Sequence, residues 1–335
     1  MNRIIVIGNG FDKAHGLKTG YRDFIDSYWT DFLEHINGSH WRHIAQRWGV
    51  LSSPNSYEDK FVRFEISYYD KRYNASEPPL QPQPYSSPYN EVLGFIAVLN
   101  DHRNTISEGS VRLTFKNKFF GHISNRSDLA NWLDIENEYY GKLKELLTEN
   151  DAEVRHKKVQ ELNRDFEAVK KQLEDYLTRI VDQAEIKAFS SIHKAFNSCI
   201  KADDVAYEKR KLTGNNVWTT KDHDPTHILI LNFNYTATAE RLYADRRCKV
   251  IHIHGELGNC RNPIIFGYGD ELDDDYKSIE KLQDNDFMEN IKSVRYHETD
   301  NYRRLLGFLY SDPYQVSIMG HSCGNSGPCP VRRHS

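Results

Sequence analysis

Two hydrophobic patterns alternate along this chain. Residues 3–7 (RIIVI) carry four consecutive β-branched residues, as expected of a strand buried on both faces of a parallel sheet. Gly8-Asn9-Gly10 ends the run. Residues 21–36 then place Tyr21, Phe24, Ile25, Tyr28, Phe32 and Ile36 at helical spacing. Comparable strand-like runs recur near the other end, at 227–232 (HILILN), 249–254 (KVIHIH) and 315–319 (QVSIM), and 264–266 (IIF) offers a fourth. Residues 237–246 between the first two read as helix. Alternation of strand and helix implies a parallel sheet with crossover helices. The expected fold class is α/β: a Rossmann-like parallel sheet with a long, mainly helical insertion.

The two sheet-forming stretches are far apart, so residues 1–50 and 220–326 are expected to build one nucleotide-binding domain. The segment 51–127 reads as an irregular insertion. Within it, residues 74–90 carry Pro78, Pro79, Pro82, Pro84 and Pro88, which read as loop. Residues 91–125 fit no single pattern. The segment 128–200 reads as a helical hairpin. Val159, Leu162, Phe166, Val169, Leu173, Tyr176 and Ile180 repeat at spacings of three and four, a heptad seam. Its expected partner is 129–148, with Leu129, Leu133, Tyr140, Leu143 and Leu147 on the same spacing. Glu136 falls on that seam, where a carboxylate is costly unless it is paired or faces a cavity.

Composition narrows the function classes. The 335 residues carry a formal net charge of −4, and 39% are hydrophobic. That fits a globular protein with nothing to draw it to nucleic acid or a membrane. No apolar run approaches the roughly 20 residues of a membrane-spanning helix. The five cysteines, Cys199, Cys248, Cys260, Cys323 and Cys329, lack CxxC spacing, so neither a zinc site nor a disulfide framework is expected. A reducing cytoplasm is the expected location.

Candidate chemistry sits at the strand ends. Gly8-Asn9-Gly10-Phe11-Asp12 follows the first strand, where glycines let backbone N–H groups approach a phosphate. Lys13 stands where a GxGxxG motif would place its third glycine, which weakens a dehydrogenase reading; an ordinary turn is the alternative. Asn232, Asn234, Tyr235 and Thr236 close the second strand and would project into the same crevice. Thr236 could instead cap the following helix. His252 and His254 share one face of the third strand, and Gly255 follows. A histidine there suits acid–base work near neutral pH, and a ring satisfied by backbone is the alternative. Gly320-His321-Ser322-Cys323-Gly324 ends the last strand and could hold a phosphate or ribose. Its likeness to the G-x-S-x-G nucleophile elbow ranks low, because Ser322 would have to be followed by a well-formed helix and then a triad histidine, and the chain ends too soon. The acidic stretch 270–275 reads as a solvated loop.

Taken together, these residues resemble the AbiH family of bacterial phage-abortive-infection proteins. The opening IIVIGNGFDKAHGLKTGYRDF carries the resemblance most specifically. WLDIENEY (132–139), LNFNYT (231–236), HIHG (252–255), IIFGYGDE (264–271) and IMGHSCGNS (318–326) follow in the family's order. The family is in turn similar, remotely, to sirtuin-type NAD-binding domains. That resemblance implies that Gly8, Asn9 and Gly10 face a pyrophosphate. It implies that Asn234 lies near the nicotinamide ribose and that His254 is the catalytic histidine, with Asp12 near the loop. The paired CxxC motifs of the sirtuin zinc module are absent, which favours nucleotide cleavage over protein deacylation. The chain ends GPCPVRRHS, where the family pattern continues with Asp and a further helix. The segment 327–335 is therefore expected to be a truncated tail that leaves apolar sheet surface bare.

The expected function is a phage-defence effector that binds and hydrolyses NAD or a related nucleotide, with no metal. His254 would activate a water or ribose hydroxyl, and Asn234 would position it. Glu136 could stabilise a developing positive charge; pairing with an Arg or Lys across the seam is the other reading. The rival expectation is a non-catalytic nucleotide sensor whose helical insertion docks a phage or host protein. The seam also suits a homo-oligomer contact.

Overall fold

The computed structural model describes residues 1–36, 50–51, 55–66, 69–70, 85–99, 111–126, 129, 132–204, 222–269 and 274–322. Most of the proline-rich segment and everything after Ser322, including the tail, lie outside the described residues. In chain order the strands are β1 (Asn2–Ile7), β2 (Val50–Leu51), β3 (Asn55–Glu58), β4 (Val62–Ile66), β5 (Tyr69–Asp70), β6 (Val111–Phe115), β7 (Ile228–Asn232), β8 (Cys248–His252) and β9 (Tyr314–Met319). The helices begin with α1 (Asn9–Ala14), α2 (Tyr21–Ile36), α3 (Pro88–Leu99), α4 (Lys118–Ser124), α5 (Trp132–Leu147) and α6 (Ala152–Gln183). They continue with α7 (Ser190–Phe196), α8 (Thr238–Tyr243), α9 (Asp274–Leu282), α10 (Asn285–Met288), α11 (Lys292–Arg295) and α12 (Asn301–Leu309). The chain divides into two compact units, Met1–Thr19 with Gln172–Ser335, and Gly20–Lys171.

The first unit is built on a parallel sheet of order β8-β7-β1-β9. β1 pairs with β7 from Arg3↔Ile228 to Ile7↔Asn232, and with β9 from Asn2↔Tyr314 to Ile7↔Met319. Alternate residues of the apolar runs serve opposite faces. Ile4, Val6, Leu229, Leu231, Ile251 and Ile253 pack with Leu305 and Phe308 of α12. On the other face, Ile5, Ile7, Ile228 and Ile230 pack with Phe11, Phe196 of α7 and Tyr243 of α8. Both faces are covered, which is why these strands read as continuous apolar runs. β9 is an edge strand, and Ile318 on it is 55% exposed.

Two expectations about this sheet need correction. Residues 264–266 are not a strand; Ile264, Ile265 and Phe266 are buried, and the Ile265 N–H donates to the His254 carbonyl at 2.7 Å. The third strand ends at His252, so residues 253–254 belong to a turn. His252 and His254 therefore do not share a strand face.

The second unit contains order where the sequence read as irregular. β3, β4 and β6 form an antiparallel sheet, with Val62↔Phe115 and Ile66↔Val111 in register. Asp59 shapes its first turn: Oδ1 accepts from the N–H groups of Phe61 and Val62, and Oδ2 from the hydroxyl of Tyr28. Aromatic residues make the core. Trp29 of α2 lies 4.7 Å from Tyr89, and Phe120 of α4 lies 4.5 Å from Phe61 between ring centres. Between α5 and α6, Tyr139 stacks on Phe166 at 4.0 Å, and its hydroxyl donates to Asn163; the stacking residue is Tyr139, next to Tyr140 of the expected series. Glu136 is buried on α5 in this unit. No helix among the described residues is long and apolar enough to cross a membrane.

Candidate functional site

In order of appearance, the strands of the parallel sheet read 3-2-1-4 across it. The chain turns outward in opposite directions from β1, so a switch point lies between β1 and β9. Open α/β sheets bind ligands outside the carboxyl ends of their strands at such points. The loops that leave β1, β7, β8 and β9 carry the residues singled out from sequence.

The glycine loop is shaped by its neighbour. A Cβ on Gly8 would lie 2.7 Å from the His321 ring, and one on Gly10 would lie 2.8 Å from the Gly320 carbonyl. Gly320 has φ +74, and a Cβ there would meet the Phe11 nitrogen at 2.4 Å. The Gly10 N–H donates to the Gly320 carbonyl at 2.9 Å, and the Phe11 N–H to Gly8. These glycines let two loops approach backbone to backbone. Asn9 is half-buried and accepts from the hydroxyl of Thr19 through its side chain.

The β7 loop is fastened to the β1 loop at both ends. Asn234 donates from Nδ2 to the Gly8 carbonyl at 3.0 Å, and Thr236 donates its hydroxyl to Asp12 Oδ2 at 2.5 Å. Thr236 is therefore not a helix cap; the cap of α8 is Ala237. Asn232 shapes the loop from within, donating to the Thr236 carbonyl and accepting from the Asn234 N–H. Tyr235 reaches outward, donating its hydroxyl to the Ile265 carbonyl at 3.3 Å.

Asp12 is almost fully buried, and its Oδ1 has no hydrogen-bond partner among the described residues. Burial pushes its carboxyl up to about 6, and the hydroxyls of Thr236 and Thr238 and the charge of His252 offset only part of that. A raised carboxyl favours the folded state while protonated, and the benefit is lost as pH rises through about 6. Asp12→Asn keeps an acceptor for Thr236 without the charge. It is expected to raise stability at pH 7.5, by about 3 kcal/mol at most, and to add little at pH 4. Denaturant midpoints at the two pH values check this, and a loss of stability at pH 7.5 would refute it.

The histidines have separate roles. His252 is buried, with Nδ1 3.0 Å from the Asn234 carbonyl and Nε2 against the carboxylate of Glu240. His254 is half-buried, and its ring nitrogens make no hydrogen bond among the described residues. Its ring meets Phe233 edge-on at 5.0 Å and stacks over Tyr296 at 6.0 Å. Burial, then the charge of Lys292, with His321 adding to it where that ring is protonated, lower its imidazole well below the usual histidine value. The His321 ring lies 4.4 Å from Phe233 between ring centres, and burial lowers its pKa too. Phe233 thus contacts both imidazole rings.

Gly255 follows His254 with φ +85, and Gly320 precedes His321. Ser322 is exposed. Phe233, Glu240, Lys292 and Tyr296 were not foreseen from sequence. Phe233 offered one signal, an aromatic between two asparagines. Lys292 offered none, yet its side chain is buried, and its charge acts on His254. Glu136 belongs to the Gly20–Lys171 unit.

The family model described as bacteriophage abortive infection AbiH matches residues 4–327. No curated protein and no solved structure matches the chain. The match runs from Ile4 within β1 past the His321 turn and takes in every strand-end loop described above. The chain belongs to the bacteriophage abortive infection AbiH family.

Proposed function

We propose that this abortive infection protein binds a nucleotide at the carboxyl ends of β1, β7, β8 and β9, and cleaves its N-glycosidic bond. NAD is the first candidate, through the remote resemblance of the family to sirtuin-type domains. The observation that carries the reading is His254, which follows the carboxyl end of β8: its imidazole is half-buried, lies 5.0 Å from Phe233, and its ring nitrogens make no hydrogen bond among the described residues. Such a ring is a general base at neutral pH. In the reaction, water attacks the ribose carbon while His254 takes its proton. Nicotinamide leaves with the electrons of the broken bond. It departs neutral from a cationic ring, so no general acid is needed. Asn234 has its amide N–H engaged with Gly8, which leaves Oδ1 to accept from the water or a ribose hydroxyl.

A second reading is a sensor that binds the nucleotide without cleaving it. It draws on the glycine loop, whose Gly10 N–H is already engaged by Gly320. In this reading the helical unit docks a phage or host protein. That unit has a cavity of about 320 Å³ with Phe119, Leu146 and Leu162 among its lining residues. Incubation of the protein with NAD, with free nicotinamide followed by chromatography, separates the readings. Release that disappears in His254→Ala supports cleavage. Saturable NAD binding without release supports the sensor, and neither binding nor release removes NAD as the ligand.

A further inference from the structure

We propose that His252 is a positioning residue: as an imidazolium held by Glu240, it fixes the Asn234 loop against the glycine loop and couples the shape of the crevice to pH. The ring has an acceptor at each nitrogen. Nδ1 faces the Asn234 carbonyl at 3.0 Å, and Nε2 faces a carboxylate oxygen of Glu240. A carbonyl only accepts, and so does an ionised carboxylate, whereas a neutral imidazole offers one N–H and one lone pair. Satisfying both contacts requires one extra proton on the Glu240–His252 pair. Imidazole is the stronger base, so the proton resides on the ring.

From the ring, the contacts run directly to the crevice. Asn234, whose carbonyl His252 holds, sends its side-chain amide to the Gly8 carbonyl, and its own N–H is held by Asn232. His252 is itself anchored, its carbonyl accepting from Asn301 at 2.8 Å. Among the described residues, the titratable groups that act on it are Glu240 from α8, Glu256 from the following loop and Asp12 from α1, all acidic. Burial alone would lower the ring's pKa, but the Glu240 contact and the Asn234 carbonyl outweigh it, and the net direction is up. A raised histidine stabilises the fold below its unfolded value, and that support is lost as pH rises through the folded one. Above that point the ring must release Glu240 or the Asn234 carbonyl.

The inference concerns the crevice of the proposed nucleotide site, but it rests on contacts within the protein, and NAD does not enter its test. Long-range ¹H–¹⁵N NMR of the full chain, with His252 assigned from a His252→Gln spectrum, reads the ring directly between pH 6 and 10. Both ring nitrogens are expected to be protonated at pH 7. The hydrogen-exchange protection of the Asn234 amide, corrected for intrinsic rates, should fall about tenfold as the ring titrates. In Glu240→Gln the titration should move down by about one pH unit or more, and protection at pH 7 should fall with it. A neutral His252 at pH 7, or Asn234 protection that stays flat through the titration, overturns the proposal. If Glu240→Gln does not fold, the wild-type titration decides alone.

Discussion

Replacing Gly255 by alanine is expected to cost about 3 kcal/mol or more of folding stability. Two effects coincide at this position. Its φ is +85, a left-handed conformation that costs an L-residue about 1 kcal/mol. In addition, a Cβ there would lie 2.0 Å from the Pro263 carbonyl oxygen and 2.8 Å from the Ile264 Cα. Both are backbone atoms, and the segment they belong to is tied down, since the Ile265 N–H donates to His254. The clash has no flexible side chain to absorb it. Gly258 supplies the control. Its φ is +72, and nothing lies within 4 Å of its Cβ position. Gly258→Ala should cost about 1 kcal/mol, the conformational part alone. Equal losses for the two variants in denaturant unfolding would show that the close approach to Pro263 carries no energy.

The sequence pattern was most informative where one physical demand dominated. A strand with both faces covered needs an unbroken apolar run, and β1 and β7 are found where such runs occur. α2 spans Tyr21–Ile36, the same residues the helical spacing marked, because one face of it must bury Trp29, Phe24 and Phe32. The antiparallel strands β4 and β6 left a weaker trace. Val62 and Phe64, and Val111 and Leu113, alternate with polar residues as a one-sided sheet requires. Those runs are only five residues long and stand far apart in the chain.

The site was legible as a set of positions, but not as a set of roles. Strand-end placement is a property of local sequence, so Gly8, Asn234, His254 and His321 could be marked. What each side chain touches depends on partners hundreds of residues away. Asn234 meets Gly8, Thr236 meets Asp12, and Gly10 meets Gly320. Much of the motif chemistry therefore holds loop to loop. The histidines illustrate the same point. Spacing of two suggested equivalent rings on one face, but the strand stops at His252, and the two rings end in opposite environments. One is enclosed by acids, and the other is flanked by aromatic rings and a buried lysine.

That contrast underlies the prediction with the greatest bearing on activity. If His254 is the base, His254→Ala should lower nicotinamide release from NAD by about 10²–10⁴-fold, with a stability loss limited to its ring packing against Phe233 and Tyr296, because the ring donates and accepts no hydrogen bond among the described residues. The pH dependence is a sharper test than the loss itself. Burial, Lys292 and His321 all lower His254, so its neutral form persists below the ordinary histidine range. The acid limb of kcat/KM should therefore lie below pH 6.5. Lys292→Met removes one of the charges that lowers the ring and should move that limb upward, toward the unperturbed value. His252→Gln removes a ring that has the opposite shift and acts only through the Asn234 loop, so it should lower the rate but leave the acid limb where it is. A limb that follows His252 would transfer the base to the buried pair. A limb unmoved by Lys292→Met would show that the lysine's charge does not reach the reacting histidine.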